Sequence, residues 1–486
     1  MTKTVSTSTI IDQLKKLFEQ EFESEAITIE SLPVSGSDRR YFRLSNDTHS
    51  AIGTYNPNTA ENNTYFYFTE LFKKHNISIP ILYRKGKDRK TYLQQDLGNT
   101  SLFDLLMKEG LTEEVKKQFH NSLEILAKVQ WLAGREVDYK QCFSTQQFDE
   151  KAIFQDLMYF KYYFADMQKV FYNKQLLISE MEELSKDLGR VQPQMLMYRD
   201  FQSRNIMVHE GKLYLIDYQG SMQGPAQYDI ASLLWQAKAQ LPNKWKEELL
   251  NGYIQSMNAL PISKMDEMHF RRGYLQFVLL RLLQVLGAYG FRGLIEKKPH
   301  FISSIAPALK NLESFLSDNP SLPSYPELRS LLETLCSEEI QKRYQTITTQ
   351  HKQKLTIELN SFSYKENGIP KDEHGNGGGF VFDCRGILNP GRQEQYKKQS
   401  GLDIGVKQFL EEETNMLAFL DDAFSLVSIS IEDYMHRGFE HLSINFGCTG
   451  GQHRSVYATE KMASYIKSKY DVIIQIQHIN QNNWKK

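Results

Sequence analysis

Two aspartates and one asparagine near the middle of the chain constrain its fold more strongly than any other feature. Asn205 follows Asp200 by five residues, and Asp217 ends the apolar segment that includes Leu215 and Ile216. A carboxylate can orient a hydroxyl group and remove its proton, and the oxygen atoms of Asn and Asp suit a hard divalent cation. The spacing therefore predicts a loop and a neighbouring strand that bring the three side chains together.

The order and spacing of these residues match the catalytic pattern of protein kinases, which transfer a phosphoryl group from ATP to a hydroxyl. In that pattern the first Asp positions the hydroxyl, while the Asn and the second Asp hold magnesium against the nucleotide phosphates. Here Asp217-Tyr218-Gln219 stands in place of Asp-Phe-Gly. We therefore predict Asp200 as the catalytic residue, Asn205 and Asp217 as metal ligands, and ATP and Mg²⁺ as cofactors.

Composition places the chain among ordinary globular proteins. Its 486 residues are too many for one core, and 41% hydrophobic with 24% charged residues is a typical balance. A net charge of −1 gives no general argument for binding nucleic acid or an anionic membrane. The four cysteines are widely scattered, which excludes a disulfide framework and a cysteine zinc site and favours a reducing compartment.

The N-terminus and the most apolar segment predict a cytoplasmic protein without a membrane span. No basic segment followed by a long apolar stretch marks a secretory signal at the N-terminus. Residues 277–290 are the most hydrophobic stretch, but they are too few to span a membrane and include Arg281. We expect this stretch to be a core helix.

The periodicity of apolar residues divides the first part of the chain into two lobes. Residues 26–100 alternate apolar and polar in short runs, as in a twisted sheet, whereas residues 102–188 have helical periodicity. Helical patterns return after Asp217 and continue to about residue 317. We predict an α+β bilobal, protein-kinase-like domain over residues 1–320, with an N lobe of about 1–100, a C lobe of about 101–320 and a nucleotide in the cleft.

A proline-rich segment marks the next boundary, because residues 319–326 contain three prolines. We predict a stiff linker and a helix over residues 321–353. From residue 354 the pattern alternates short apolar strands with helices, including a helix over 455–468. This alternation predicts an α/β domain with a partly parallel sheet over residues 354–486.

The first domain resembles the aminoglycoside phosphotransferase superfamily and, within it, the cell-wall amino-sugar kinases of the AmgK type. The likeness spans about residues 10–320 and implies ATP- and magnesium-dependent phosphorylation of N-acetylmuramate or N-acetylglucosamine at the anomeric hydroxyl. It is carried by the runs Arg39-Arg40-Tyr41-Phe42-Arg43, Asp96-Leu97-Gly98, Arg199-Asp200-Phe201-Gln202, Arg204-Asn205, Ile216-Asp217-Tyr218-Gln219, Gly224-Pro225, Tyr228-Asp229-Ile230 and Val285-Leu286-Gly287.

Further residues of this domain are candidates for nucleotide and substrate contacts. The strand around residues 51–54 has no Lys to pair with the nucleotide phosphates, so Arg40 or Arg43 is expected to replace it. Asp229 is expected to brace the catalytic loop rather than take part in the chemistry. The predicted cofactor-binding residues are Gly36, Ser37, Arg40 and Arg43, and the predicted substrate-binding residues are Gln202, Arg204 and Gln219.

A second constellation lies near the C-terminus, between an apolar strand and a helix. Its small residues allow backbone N–H groups to turn inward, and the start of the helix adds positive potential, which together suit a phosphate. His453 and Arg454 add side-chain donors. We predict that this loop binds the phosphate of a sugar phosphate through Thr449, Gly450, Gly451, Gln452, His453, Arg454 and Ser455.

Residues 354–480 resemble the C-terminal domain of the RNase adapter family RapZ. The likeness rests on the loop just described and on residues 360–368, 382–385, 388–390 and 400–403. It implies binding of glucosamine-6-phosphate and of small RNA, next to a P-loop domain that a kinase-like domain replaces here. RNA binding in that family draws on a basic tail, whereas residues 478–486 of this chain have two lysines and few other charges, which argues against RNA as a partner.

Two other functions stay open at this point. Cys448, Arg454 and Ser455 also fit the phosphate loop of Cys-dependent phosphatases, in which the thiolate attacks phosphorus. The whole chain could alternatively be a regulatory adapter that senses nucleotide or sugar and contacts an RNA or a protein. We favour an amino-sugar kinase fused to a domain that binds a phosphorylated amino sugar, with small molecules as partners; the sequence gives no oligomeric state.

Overall fold

The protein folds into two compact units. The computed structural model describes residues 6–32, 39–143, 145–261, 266–296, 298–344, 354–372, 374–375 and 379–484. The first unit comprises Met1–Ala288 and Pro307–Ser337, and the second comprises Tyr289–Ala306 and Glu338–Lys486. The predicted boundaries at residues 320 and 354 remain predictions, but residues 307–337 cluster with the first unit and residues 289–306 with the second.

The first unit begins with an N lobe built on an antiparallel sheet of order β1-β2-β3-β5-β4. Ile10 and Leu14 of the first helix pack into the core of this sheet. Gly53 lets this core pack closely, because a Cβ there would come within 2.7 Å of Leu44 Cδ1 and 2.9 Å of Leu14 Cδ1. The elements are α1 (Thr7–Phe22), β1 (Thr28–Ser31), β2 (Arg40–Ser45), β3 (Ser50–Tyr55), α2 (Thr59–Lys74), β4 (Leu82–Lys85) and β5 (Thr91–Gln95).

The rest of the first unit is mainly helical and includes two small two-stranded sheets near the predicted catalytic residues. Strand β6 (Gln194–Met197) pairs with β9 (Met222–Pro225), and β7 (Ile206–His209) pairs with β8 (Lys212–Leu215). The helices are α3 (Leu102–Glu109), α4 (Glu113–Trp131), α5 (Glu150–Phe160), α6 (Lys174–Gly189), α7 (Gln227–Leu234), α8 (Asn243–Asn258), α9 (Glu267–Tyr289), α11 (Ile305–Asp318) and α12 (Pro326–Leu335), with the short α10 (Pro299–Ile302) and α13 (Glu338–Lys342) in the second unit.

The segment predicted as a linker contains a helix that packs on the C lobe. Pro326 is at the N-terminus of α12, a position that needs no backbone N–H donor. The carboxylate of Glu180 on α6 accepts hydrogen bonds from the backbone N of Glu327 and Leu328 at 3.1 and 2.8 Å. The first part of this segment is therefore anchored to the first unit rather than free of it.

One helical stretch in the described part of the chain, Glu267–Ile295, is long and apolar enough to cross a membrane, and a bent pair of later helices would count only as a single broken span. The protein itself buries 56% of the most apolar window of that stretch. Since the core helix of a folded domain passes the same test, this is weak evidence for a span. The cytoplasmic location remains a prediction.

The second unit is built on a four-stranded sheet of order β11-β12-β10-β13, in which every recorded pair is parallel. The strands are β10 (Thr356–Ser363), β11 (Phe380–Asp383), β12 (His441–Cys448) and β13 (Ile473–His478), and the helices are α14 (Ile404–Glu412), α15 (Met416–Arg437) and α16 (Arg454–Lys469). Parallel strands bring their carboxyl ends to one edge, so the ends of all four strands lie along the same side. The predicted fold class, a kinase-like α+β domain followed by an α/β domain, is confirmed.

Candidate catalytic site and candidate anion site

The structure brings the three predicted catalytic residues together. Asn205 Nδ2 donates a hydrogen bond to the carbonyl oxygen of Asp200 at 2.9 Å and lies 3.5 Å from Asp217 Oδ2. The backbone N of Ile216 donates to the carbonyl of Asn205 at 3.0 Å, which ties the loop to the end of β8. Because its amide nitrogen is occupied by Asp200, Asn205 has Oδ1 as the atom available to a cation.

Asp229 braces the catalytic loop, as the sequence predicted. Its fully buried carboxylate accepts hydrogen bonds from the backbone N of Tyr198 at 2.7 Å, from the backbone N of Arg199 at 3.0 Å and from the side chain of Gln130 at 2.8 Å. Burial raises the pKa of Asp229 to about 7, against these hydrogen bonds, which favour the charged form. Asp229 therefore fixes the residues that precede Asp200.

Arg199 also holds the loop and is not open to a substrate. Its Nη2 donates to both carboxylate oxygens of Asp156 at 2.9 and 2.8 Å. The guanidinium also lies over the rings of Phe148 and Tyr228, 4.6 and 5.1 Å from their centroids. Arg199 has a φ of +75°, a left-handed conformation that costs energy in a residue with a Cβ and persists only where the surroundings impose it.

Asp217 is held by a neighbouring amide and lies near a buried arginine. Gln219 Nε2 donates to Asp217 Oδ1 at 2.6 Å, and Arg39 Nη1 lies 4.0 Å from the same oxygen. The side chain of Asp217 keeps 40% of its accessible surface, yet the surrounding cleft and the charge of Asp200 raise its pKa, opposed by Gln219 and Arg39. Gln219, which the sequence assigned to the substrate, is 8% exposed and thus lies against the metal ligand.

The other two predicted substrate residues lie in the loop between the catalytic positions. Gln202 is half-buried, and its Nε2 lies 3.4 Å from Asp200 Oδ1. Arg204 is exposed, and the neighbouring Ser203 is anchored through its backbone N and its hydroxyl to Gln236 Oε1. This anchoring fixes the loop, and Gln202 and Arg204 remain candidates for contacting a substrate next to Asp200.

The predicted cofactor-binding arginines have protein partners. Arg40 Nη1 donates to Thr7 Oγ1 at 3.2 Å, and Arg43 donates to both oxygens of Asp96 at 2.7 and 3.1 Å. Gly36 and Ser37 lie outside the described residues.

Arg39 is a buried cation near Asp217 that was not among the predicted site residues. It is 3% exposed, its Nη2 lies 3.1 Å from Glu61 Oε1, and its Nη1 is the group near Asp217. Glu61 could have pointed to Arg39 from the sequence. It is an acidic residue in the first turn of α2, the helix that follows β3. A kinase fold places the acidic partner of its phosphate-binding cation on the corresponding helix.

In the second unit, surrounding protein groups hold the carbonyl oxygens of five residues in the loop that follows β12. The backbone N–H groups of Tyr364, Gly401 and Tyr457 donate to the carbonyls of Cys448, Gln452 and His453, respectively. The side chains of Ser363 and Trp484 donate to the carbonyls of Thr449 and Gly451. A trans peptide points its N–H opposite to its C=O. The N–H groups of Thr449, Gly450 and His453 therefore point away from those protein groups, beside the N-terminus of α16.

Glycine is required at one position of this loop. Gly451 has a φ of +62°, and a Cβ there would come within 2.7 Å of Asn480 Oδ1. Gly450 is exposed, with open space where a Cβ would be. The loop therefore keeps an accessible tip above a tightly packed base.

The predicted side-chain donors of the loop are mostly occupied. Arg454 is 3% exposed, and its Nη1 donates to the carbonyls of Ile387 and Arg385 at 2.7 and 3.2 Å. Its Nη2 lies 3.3 Å from Thr449 Oγ1, and its buried Nε has no hydrogen-bond partner in the described residues. Arg454 therefore does not offer the open side-chain donors that the sequence suggested, because its guanidinium joins the loop to residues 385–387.

The remaining predicted residues of the loop are also packed against the protein. His453 Nε2 lies 2.8 Å from the carbonyl of Tyr396, and burial lowers the pKa of His453. Gln452 Nε2 donates to the carbonyl of Gln399 at 2.7 Å. Ser455 Oγ lies 3.2 Å from Cys448 Sγ, and both side chains are buried.

Three residues at the same edge of the sheet were not among the predicted site residues. Arg385 donates to both oxygens of Asp383, and its guanidinium lies 3.9 Å from the centroid of the Tyr364 ring. All three follow or end a strand at the carboxyl edge. Their positions at the ends of strands could have marked them as candidate site residues from the sequence alone.

Within the described residues, Glu358, His374 and His441 place three potential metal-ligand atoms within 4.8 Å of one another. The two imidazole rings are stacked, however, with centroids 3.9 Å apart and an angle of 6° between their planes. A metal bound by imidazole lies in the plane of the ring, so two parallel rings cannot share one ion in this arrangement. We assign no metal to this cluster.

Two family models match separate parts of the chain. Residues 141–268 match the phosphotransferase enzyme family, and residues 355–481 match the RapZ C-terminal domain. The first match contains Asp200, Asn205 and Asp217, and the second contains the whole loop from Cys448 to Ser455.

The curated relatives match about a quarter of this chain. A nucleotide-binding protein of Endomicrobium trichonymphae is 36% identical over 118 residues, which are 24% of this chain and 39% of that protein. A nucleotide-binding protein of Dinoroseobacter shibae is 39% identical over 111 residues, or 23% of this chain and 35% of that protein. The chain thus spans less than half the length of these relatives.

Solved structures whose backbones align with this chain include a choline kinase and an antibiotic phosphotransferase. Choline kinase LicA from Streptococcus pneumoniae is 13% identical, with a TM-score of 0.42 over 62% of this chain and 99% of that one. Spectinomycin phosphotransferase in complex with ADP and spectinomycin is 14% identical, with a TM-score of 0.39 over 66% and 97%. Likeness at this level carries no functional conclusion.

Proposed function

We propose that the first unit is an ATP- and Mg²⁺-dependent kinase that phosphorylates a hydroxyl of an amino sugar of the N-acetylmuramate or N-acetylglucosamine type. The observation that supports this most is the contact of one amide, that of Asn205, with both Asp200 and Asp217. The match to the phosphotransferase enzyme family over residues 141–268 points to the same reaction class.

Each residue has a distinct role in this proposal. Asp200 orients the acceptor hydroxyl and accepts its proton, while Asp229 and Arg199 keep the loop in place. Asn205 Oδ1 and the carboxylate of Asp217 form an oxygen donor set that fits Mg²⁺. Mg²⁺ bound there would neutralise charge on the phosphates.

The acceptor is proposed to be a small molecule rather than a protein. Between Asp217 and Asp229 the chain forms only a short turn, strand β9 and the start of α7. This leaves no room for the long segment that protein kinases use after their Asp-Phe-Gly motif. The choice of an amino sugar, and of its anomeric hydroxyl, rests on the resemblance of residues 10–320 to the amino-sugar kinases.

For the second unit we propose binding of a phosphorylated amino sugar at the loop of residues 448–455. The outward N–H groups of Thr449, Gly450 and His453 and the start of the 16-residue helix α16 support an anionic ligand. We also propose that the protein acts in the cytoplasm, where ATP is available. Its four cysteines are free, in keeping with a reducing compartment.

The test of the kinase proposal is ADP formation by the full chain with Mg-ATP and a panel of amino sugars. Acceptor-dependent ADP formation that is lost in Asp200→Asn, but kept in the exposed control Asp47→Asn, would support it. Nucleotide binding without transfer to any acceptor would contradict it and favour the sensor or adapter function.

A further inference from the structure

The N lobe lacks the strand lysine that a kinase uses to hold the nucleotide phosphates, but it has a buried arginine on the adjacent strand. Arg39 directly precedes β2, and its neighbour Arg40 pairs with Tyr55 at the end of β3. Arg39 thus lies next to the end of the strand from which the lysine is missing. Its side chain is 3% exposed, so the charge is held inside the lobe rather than in solvent.

An acidic side chain of α2 fixes this arginine. Glu61 Oε1 lies 3.1 Å from Arg39 Nη2, and Glu61 Oε2 accepts a hydrogen bond from Asn56 Nδ2 at 2.9 Å. Glu61 itself is in the first turn of α2, where its backbone N donates to the N-cap residue Asn58 at 3.2 Å. The end of β3 and the start of α2 therefore hold the carboxylate, which in turn holds Arg39.

Two nitrogen donors of the Arg39 guanidinium are buried without a hydrogen-bond acceptor among the residues that the structure describes. Its Nε and Nη2 have no hydrogen-bond partner in the described part of the chain, because Nη2 meets Glu61 outside hydrogen-bond geometry. Its Nη1 lies 4.0 Å from Asp217 Oδ1, too far for a hydrogen bond. Unpaired buried N–H groups are costly, so an acceptor from a ligand is expected at this place.

Arg40 and Arg43 do not offer the same donors. Arg40 donates a hydrogen bond to Thr7 Oγ1. Arg43 donates hydrogen bonds to both carboxylate oxygens of Asp96 and to Asn99 Oδ1, the last at 2.7 Å. They are therefore matched controls, of the same residue type and in the same strand as the site.

We propose that Arg39 replaces the missing strand lysine, binding the α- and β-phosphates of the nucleotide, with Glu61 as the positioning residue that holds it. This rests on the proposed function, since it concerns the nucleotide site of the same kinase. A guanidinium can bind two phosphate oxygens at once, which a lysine ammonium cannot do in a fixed geometry. Since Glu61 belongs to α2, the position of this helix decides whether the guanidinium faces the phosphates.

The experiment compares ADP with adenosine, which has no phosphates, as ligands of the full chain in the presence of Mg²⁺. We expect Arg39→Ala to weaken ADP binding about tenfold to a hundredfold, with adenosine binding unchanged. Arg39→Lys should lose less, because the charge remains but the planar fork is lost. Glu61→Gln should weaken ADP binding in the same direction, while Arg40→Lys and Arg43→Lys should not.

Calorimetry gives both affinities, and thermal unfolding of each variant shows whether it is folded. Equal losses for ADP and adenosine, wild-type ADP affinity in Arg39→Lys and Arg39→Ala, or the same loss in Arg40→Lys would overturn the assignment. So would a wild-type chain that binds no ADP. A wild-type chain that binds ADP through Arg39 but transfers phosphate to no acceptor would support Arg39 and contradict the kinase proposal alone.

Discussion

Asn205 Nδ2 donates a 2.9 Å hydrogen bond to the backbone carbonyl of Asp200, so the proposed metal ligand and the proposed base belong to one hydrogen-bonded unit. The same nitrogen lies 3.5 Å from Asp217 Oδ2, which sets the orientation of the amide. A change at Asn205 is therefore expected to disturb both the loop that carries Asp200 and the carboxylate of Asp217.

This coupling predicts non-additive losses of activity. Asp200→Asn and Asn205→Ala should each lower the rate of phosphoryl transfer strongly, and the double variant should lose little more than the worse single one, because residues that act as a unit do not add. Initial rates at saturating Mg-ATP measure this. Fully multiplicative losses would show that the two residues act independently.

The raised pKa of Asp217 predicts a dependence of magnesium-assisted nucleotide binding on pH. The cleft around Asp217 and the charge of Asp200 raise this pKa, and only the ionised carboxylate binds the cation well. Binding of Mg-ATP should therefore be lost on acidification at a pH above the ordinary range of an Asp. In Asp200→Asn the midpoint should move to lower pH, since one negative neighbour is gone. A midpoint that stays in place or rises would contradict this account.

Asp229 should be essential to stability rather than to chemistry alone. Asp229→Ala leaves the backbone N–H groups of Tyr198 and Arg199 without their acceptor, at a cost of about 1–3 kcal/mol for each buried donor. Urea unfolding of Asp229→Ala against the exposed control Asp47→Ala measures this difference. Equal unfolding free energies of the two variants would contradict the role of a brace.

The raised pKa of Asp229 predicts that the unfolding free energy depends on pH. Burial raises the pKa of Asp229 to about 7, above the value of an Asp in an unfolded chain. Protonation of Asp229 therefore stabilises the folded state. This stabilisation is fully present below the pKa that Asp229 has in the unfolded chain, and it is lost as the pH rises through 7. The unfolding free energy of the wild type, relative to Asp229→Asn, should decline between about pH 4 and 7. A pH-independent difference would show that the pKa of Asp229 is not raised.

The loop of the second unit should respond differently to three substitutions. Gly451→Ala and Arg454→Ala should weaken binding of glucosamine-6-phosphate by about tenfold or more, since one strains the loop against Asn480 and the other removes its ties to Ile387 and Arg385. Cys448→Ser should change it little. Calorimetry on the full chain measures these affinities, with the exposed Arg437→Ala on α15 as control.

Two results would contradict this assignment. Absence of binding by the wild type to glucosamine-6-phosphate and related sugar phosphates would remove the ligand hypothesis. Release of inorganic phosphate that depends on Cys448 would favour the phosphatase function instead.

The sequence predicted those parts of the site that local spacing determines. Asp200, Asn205 and Asp217 lie in one short loop and the hairpin that follows it, so their order and spacing already defined their arrangement. Asp229 was expected to be a brace, and its hydrogen bonds to the backbone of Tyr198 and Arg199 agree with that role. In the second unit, the alternation of strands and helices predicted the sheet and placed the loop of residues 448–455 at its edge.

Contacts between distant parts of the chain could not be predicted in this way. Arg39 was missed because its importance depends on Glu61 and Asp217, which only the folded lobe brings to it. Arg454 was expected to face a ligand, but the carbonyl of Ile387, 67 residues away in the chain, occupies its Nη1. The prolines before α12 suggested a stiff linker, but not that Glu180, 147 residues from Glu327, anchors the helix that follows.

The most direct test of the central claim is ³¹P and ¹H NMR of the product formed by the full chain from Mg-ATP and N-acetylmuramate or N-acetylglucosamine. The account predicts a new sugar phosphate signal coupled to the anomeric proton, formed by the wild type and by Asp47→Asn but not by Asp200→Asn. ADP formation without any sugar phosphate, or phosphate transferred to added protein in place of the sugars, would contradict it.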